Sequence, residues 1–196
     1  MALNVPRGTF VDIFNGKEDL NNKIIRTVGD PKERFKEDAL RMLRAIRFYA
    51  CLGKDYIIEE KTLNTIIENA SWIKKISNER IRDELIKIVM CENAKAGINL
   101  MKNTGILKYI IPELELGDEC TQNKHHIYNV YEHNLETLNF AAKKKFNMQV
   151  RFAALLHDIA KPIVKEGEGK NATFYNHEIV GAKMTKKILK RLKFSK

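Results

Sequence analysis

The sequence predicts an all-α protein with one short strand at its beginning. Two observations carry that prediction. Only 10 Gly and 4 Pro interrupt 196 residues, so few breakers stand in the way of long helices. Apolar residues recur at three- and four-residue spacings from about residue 32 onward, the period of a helix with one buried face. Hydrophobic residues make up 44% of the chain, enough for a core, and 31% are charged, which is high without being disorder-like.

The opening strand is Thr9-Phe-Val-Asp-Ile-Phe14, β-branched and aromatic, followed by the turn signal Asn15-Gly16. A lone strand cannot satisfy its backbone groups, so its partners are expected upstream of this sequence. From Asp30-Pro31 the pattern turns helical. Phe35, Leu40, Leu43, Ile46 and Tyr49 place one helix from about Lys32 to Leu52, closed by Gly53. Further helices are expected near 59–70, from the N-cap Ser77 to about Cys91, and at 93–103. Residues 104–118 read as a helical turn and a loop. Three more helices follow near 126–144, 148–160 and 177–193, with a Gly/Glu/Lys-rich loop from Lys165 to Lys170.

Charge is unevenly spread. Residues 1–120 hold 20 Lys and Arg against 19 Asp and Glu, whereas residues 121–196 hold 15 against 6. Such an excess attracts phosphates through counterion release. The last helix carries Lys183, Lys187, Lys190 and Arg191 opposite its apolar side, and these are the candidate RNA-phosphate contacts. Cys51, Cys91 and Cys120 lie far apart without metal-ligand spacing and read as reduced thiols of a cytoplasmic protein. No apolar run approaches the roughly 20 residues that cross a bilayer, so no membrane partner is expected.

Two constellations carry chemistry. The first is Glu37-Asp38-x-x-Arg41: on a continuous helix these residues share a face, and an Asp acceptor beside an Arg fork can meet the edge of a base. The second is histidine-centred. All five His lie within 125–177, with His126 and His133 two helical turns apart and His157-Asp158 ending an apolar helix, a pattern that suits a metal.

The runs Asp12-Ile-Phe-Asn-Gly16-Lys-Glu-Asp19-Leu20, Ile25-Arg-Thr-Val-Gly29-Asp-Pro31 and Arg34-Phe-Lys-Glu37-Asp38-Ala-Leu-Arg41-Met-Leu-Arg44-Ala-Ile-Arg47-Phe48 resemble bacterial class II tRNA nucleotidyltransferases, the family of CCA-adding enzymes and poly(A) polymerases, where head passes into neck. Ile76-Ser-Asn-Glu-Arg80-Ile-Arg-Asp-Glu84-Leu85 resembles a later neck helix of the same family. The resemblance implies that Asp12, Gly16 and Asp19 mark the head–neck junction. It implies that Asp38 and Arg41 bond the base of CTP or ATP with Glu37 orienting Arg41, and that Arg44 and Arg47 lie near triphosphate or RNA. It implies an HD domain in which His133, His157 and Asp158 bind a divalent metal, with His177 as a further ligand. Asn129 and Ala160 depart from that pattern, and no Asp follows Asp158.

The family's head holds its Mg ions with an Asp-x-Asp pair; only eleven residues precede Asp12 and none is acidic, so this stretch is expected to lack nucleotide addition. The expected layout is residues 1–31 as a remnant of head and junction, 32–118 as a helical neck and body, and 119–196 as an HD domain. The expected partners are tRNA and CTP or ATP. The alternatives are a metal-dependent HD phosphohydrolase acting on nucleotides or RNA ends, and a helical module that only binds RNA.

Overall fold

In the computed structural model, which describes residues 2–4, 6, 8–122 and 127–195, helices dominate. The N-terminal strand is present as β2 (Thr9–Val11), but its partner lies inside the chain: β1 (Ala2–Asn4) pairs with it antiparallel, Ala2 opposite Val11. The expectation of upstream partners is corrected accordingly. Helix α1 (Gly16–Asn21) follows, its first turn held by the Asp12 carboxylate, which accepts from the amides of Gly16 (2.9 Å) and Lys17 (2.7 Å). A two-residue strand, β3 (Ile24–Ile25), then pairs parallel with β4 (Ile57–Ile58), a contact the sequence pattern did not reveal.

The helix expected over 32–52 is two helices. Asp30 caps α2 (Pro31–Glu37), accepting from the amides of Lys32 and Glu33, with Pro31 where a missing N–H leaves nothing unsatisfied. Asp38 then leaves the helix at φ −152°, ψ 101°, and its Oδ1 accepts from the Leu40 amide at 3.2 Å. A short acidic side chain that bonds a nearby backbone amide competes with helix continuation. The chain re-enters helix as α3 (Leu40–Leu52), which buries Leu40, Met42, Leu43, Ala45, Ile46 and Ala50.

Helix α4 (Glu60–Asn69) runs into a 3-10 turn over Ala70–Lys75, and Ser77 caps α5 (Asn78–Met90) as expected. Helix α6 (Ala94–Asn103) comes so close to α3 and α5 that a Cβ on Gly97 would stand 2.8 Å from Ile88 and 2.9 Å from Ala50. Two single-turn helices follow, α7 (Leu107–Ile110) and α8 (Pro112–Glu115). Helix α9 (Val130–Lys143) starts later than expected: Asn129 is its N-cap, in a capping box with Glu132. His125 and His126, and with them the expected two-turn spacing of His126 and His133, lie outside the described residues. Helices α10 (Met148–Leu156), α11 (Lys161–Val164) and α12 (His177–Arg191) complete the chain.

The expectation of three free thiols is also corrected. Packing of α3 on α5 brings Cys51 and Cys91 together with Cα atoms 4.8 Å apart, in a disulfide; Cys120 is free and buried. No helix among the described residues is long and apolar enough to cross a membrane.

One core runs without interruption from Ile25 through Leu85 and Leu138 to Leu192. At its middle sits Arg151 of α10, 4% exposed. Its guanidinium donates to the carbonyls of Val89 (3.1 Å), Cys91 (3.0 Å), Ala142 (3.3 Å) and Phe146 (2.9 Å). These belong to the end of α5, its cap, and the end of α9 with its following turn. Removing the guanidinium strands several buried carbonyls at once. Arg151→Met is therefore expected to lower unfolding stability by about 3 kcal/mol, read from urea denaturation; a loss below about 1 kcal/mol would show that water replaces the guanidinium.

Candidate functional site

Asp158 is the centre of the histidine cluster. It follows the last turn of α10, is 3% exposed, and meets four side chains from four places in the chain. His133 of α9 puts Nε2 3.6 Å from its Oδ2, and His157 puts Nε2 3.3 Å from the same atom. The two Nε2 atoms are 3.2 Å apart. His177, the first residue of α12, places Nε2 3.7 Å from Oδ1. Lys161, buried at the start of α11, donates to Oδ2 at 2.7 Å and to Gln122 Oε1 at 2.8 Å.

Backbone carbonyls set the ring orientations. His157 Nδ1 lies 3.0 Å from the Ala154 carbonyl and His177 Nδ1 lies 2.7 Å from that of Phe174. Each Nδ1–H donates there, which turns Nε2 toward the cluster, where it offers a lone pair on the neutral ring and a donor to Asp158 on the imidazolium. Burial disfavours the Asp158 charge, but hydrogen bonds from His157 and Lys161 outweigh it and hold the carboxyl below the ordinary carboxylate range. Burial likewise works against charged His157, and the bond to Asp158 outweighs it, so the imidazole is raised above its ordinary value.

The donor set fits a divalent metal. Ligand atoms bound at about 2.0–2.1 Å around a tetrahedral ion stand roughly 3.3 Å from one another. The separations among His133 Nε2, His157 Nε2 and Asp158 Oδ2, at 3.2, 3.3 and 3.6 Å, are close to that. These three are the grouping of His, Cys, Asp and Glu in the described residues that could hold an ion. His177 borders it without joining the three-donor set. Lys161 was not anticipated, although its i,i+3 spacing from Asp158 was visible in the sequence.

The first constellation is only partly as expected. Glu37 and Arg41 do pair, Nη1 to Oε2 at 2.7 Å, and Nη1 also donates to the Arg34 carbonyl. Asp38 does not share a helical face with Arg41. Its ion-pair partner is Arg80 of α5, at 2.8 Å. Arg47, expected near phosphates, is held by the buried Glu84 at 3.1 Å, which also takes Lys87 at 2.9 Å. Arg44 is exposed beside Asp38 and adds to the positive field there. On α12, Lys183, Lys187 and Lys190 are exposed, but Arg191 is committed to Glu113 by two bonds of 2.6 and 2.8 Å.

Residues 55–116 match the family model described as a probable RNA and SrmB-binding site of polymerase A, and residues 130–196 match that of the HD domain. An A-adding tRNA nucleotidyltransferase of Deinococcus radiodurans is 32% identical over 192 residues, which is 93% of this chain and 43% of the relative. Along most of its length the chain is thus similar to tRNA nucleotidyltransferases. A CCA-adding enzyme of Limosilactobacillus reuteri is 47% identical over 108 residues, 55% of this chain and 26% of the relative. The fold is shared with a Thermotoga maritima CCA-adding enzyme solved in complex with tRNA, with a TM-score of 0.61 at 21% identity, over 95% of this chain and 39% of that one. The chain thus spans less than half the length of these tRNA nucleotidyltransferase relatives.

The cluster makes two measurable demands. Mn²⁺ or Zn²⁺ is expected to bind this chain with one equivalent, and His157→Ala to weaken binding by tenfold or more, read by calorimetry; unchanged affinity would place the ion elsewhere. In the metal-free chain the signs also follow. Stability from raised His157 is full below its unfolded value of 6.5 and is lost as pH rises through the folded value. Stability from depressed Asp158 is present above 3.8 and is lost as pH falls toward its folded value. Metal-free stability is therefore expected to peak between those pH values, and Asp158→Asn to flatten the peak in thermal melts with chelator present.

Proposed function

We propose that this chain is the RNA- and base-recognising part of a template-independent tRNA nucleotidyltransferase that matures tRNA 3′ ends in the cytoplasm. The likeness to an A-adding tRNA nucleotidyltransferase over 192 residues carries this reading. In it, residues 1–31 are the junction with a head domain, residues 32–118 the neck and body, and residues 119–196 the HD domain.

The geometry supports base recognition at the break between α2 and α3. Glu37 and the Arg34 carbonyl occupy Nη1 of Arg41 and hold the guanidinium plane, which keeps further N–H donors that a base edge could take. Arg80 and the Leu40 amide hold the Asp38 carboxylate, and each oxygen keeps acceptor capacity. Asp38 and Arg41 thus read CTP or ATP from two anchored positions, with Arg44 beside them. Nucleotide addition itself requires metal-holding carboxylates, and this sequence contains no Asp-x-Asp. Mg chemistry belongs to the head.

The convergence of His133, His157 and Asp158 favours a second reading, a metal-dependent HD phosphohydrolase. A divalent ion there would supply an activated water and a charge for a phosphoryl oxygen. His157 also lines an open groove of about 1330 Å³ whose rim carries Lys186, Lys190 and Lys193, suited to a phosphoester.

Four measurements test these readings. The chain should bind tRNA, and Lys183, Lys187 and Lys190 changed together to Ala should reduce the slope of log affinity against log salt by up to about 2.7 on duplex backbone. An unchanged slope removes α12 from the contact surface. Labelled CTP or ATP should bind weakly, and Arg41→Ala should weaken it a further several-fold; equal binding excludes the base-reading role. Incorporation of label into tRNA by this chain alone would overturn the assignment of catalysis to another segment. Mn²⁺-dependent cleavage of an aryl phosphodiester, abolished by His157→Ala, would establish the second reading.

A further inference from the structure

We infer that the surface from Tyr109 across Lys74 and Lys75 to Trp72 is a stacking track for single-stranded RNA that leads to Asp38. This rests on the RNA-binding reading above and goes beyond it by naming the strand's path and form.

The local structure builds the track. In the 3-10 turn over Ala70–Lys75, side chains three apart lie over one another. Trp72 and Lys75 are so placed, with the ammonium 5.5 Å from the ring centre. Its neighbour Lys74 reaches instead to Tyr109, 4.7 Å from the ring centre, where Lys108 also arrives at 5.2 Å. Two aromatic rings are thereby joined by two consecutive lysines. Both rings are half-buried and packed against the core, so their planes are fixed. The lysines are exposed. Lys74 and Lys75 are in no ion pair among the described residues, and Lys108 acts on Glu115 at longer range.

That combination of rigid rings and uncommitted cations suits unstacked bases with phosphates alongside. A base arriving on either ring displaces an ammonium, which moves onto the adjoining phosphate, so one exchange makes both contacts. A duplex offers neither ring an open base face. The track also has a direction. Trp72 and Lys75 line a polar pocket of about 510 Å³ together with Lys36, Arg80 and Asp38. A strand lying over Trp72 therefore delivers its next nucleotide to the carboxylate proposed to read a base. The segment falls within residues 55–116, the region that matches the RNA-binding family model.

Trp72 is the chain's single tryptophan, so its emission reports on the track alone. A single-stranded RNA dodecamer is expected to quench Trp72 while its own labelled end reports binding by anisotropy. A duplex of equal length is expected to bind without comparable quenching. Tyr109→Leu, which keeps an apolar side chain on the core, should weaken single-strand binding roughly tenfold, the loss of one stacked base. Lys74, Lys75 and Lys108 changed together to Ala should lower the salt slope by about 2, at roughly 0.7 per phosphate of a single strand. Binding that leaves Trp72 emission, the Tyr109→Leu affinity and the salt slope unaltered would overturn the track while leaving RNA binding intact. Equal quenching by the duplex would overturn the single-strand assignment. Absence of any RNA binding would overturn the track together with the function it rests on.

Discussion

The Arg151 guanidinium, spread over four backbone carbonyls at the seam between α5, α9 and α10, is the contact on which the arrangement of the rest depends. Helix ends leave carbonyls without partners, and the ends of α5 and α9 meet here away from solvent. An apolar side chain could fill the space but could not satisfy them. Placing the cation on α10 also fixes how α10 sits against α5 and α9. The residues just beyond the end of α10 are His157 and Asp158, so the His–Asp cluster is tied by the same group to the half that matches the RNA-binding family model. Arg191 repeats the device at smaller scale, binding Glu113 and the Ile110 carbonyl, and so docks α12 on α7 and α8.

The cluster itself was largely legible from residue types. His133 and the His157-Asp158 pair could be picked out because imidazoles and a carboxylate near the end of an apolar helix have few structural uses together. What the sequence could not show was which groups compete for Asp158. Lys161 belongs to a different helix, and its approach depends on the turn between α10 and α11. Gln122 arrives from far away in the chain and anchors the other side of the same ammonium. The seven-residue spacing of His126 and His133 is a different case: His126 lies outside the described residues, and α9 begins after the Asn129 cap. A periodicity argument is no better than the helix start it assumes.

The Glu37-Asp38-x-x-Arg41 segment shows the same limit in sharper form. Hydrophobic spacing alone runs straight through it, and Phe35 and Leu40 are buried as predicted. The break comes from a polar side chain turning back on its own backbone, an effect of one residue that periodicity does not register. The Glu37–Arg41 pair survives because the i,i+4 separation is bridged across the break. Asp38, freed from helical geometry, is instead fixed by Arg80 from forty-two residues away. The two groups that resemble base readers are thus anchored independently, one to α2 and one to α5. Their relative position is then set by the packing of α2, α3 and α5 rather than by one helix turn.

Net charge was the weakest guide to where a polyanion would lie. The first 120 residues are nearly neutral by count, yet the count includes pairs that the fold has already closed. Glu84 absorbs Arg47 and Lys87, Glu37 absorbs Arg34 and Arg41, and Asp38 absorbs Arg80. Cations left over after such pairing carry the surface potential that a phosphate meets. Lys74 and Lys75 are left over, and they lie against rings rather than acids. In the last third the excess is larger, but Lys161 is buried on Asp158 and Arg191 is spent on Glu113. The remaining α12 lysines attract phosphate without a fixed surface to orient it. Counterion release rewards any exposed cation equally, whereas choosing a single strand over a duplex needs a ring that only an unpaired base can cover. On that ground the nearly neutral first 120 residues are better suited than the basic last third to tell a single strand from a duplex.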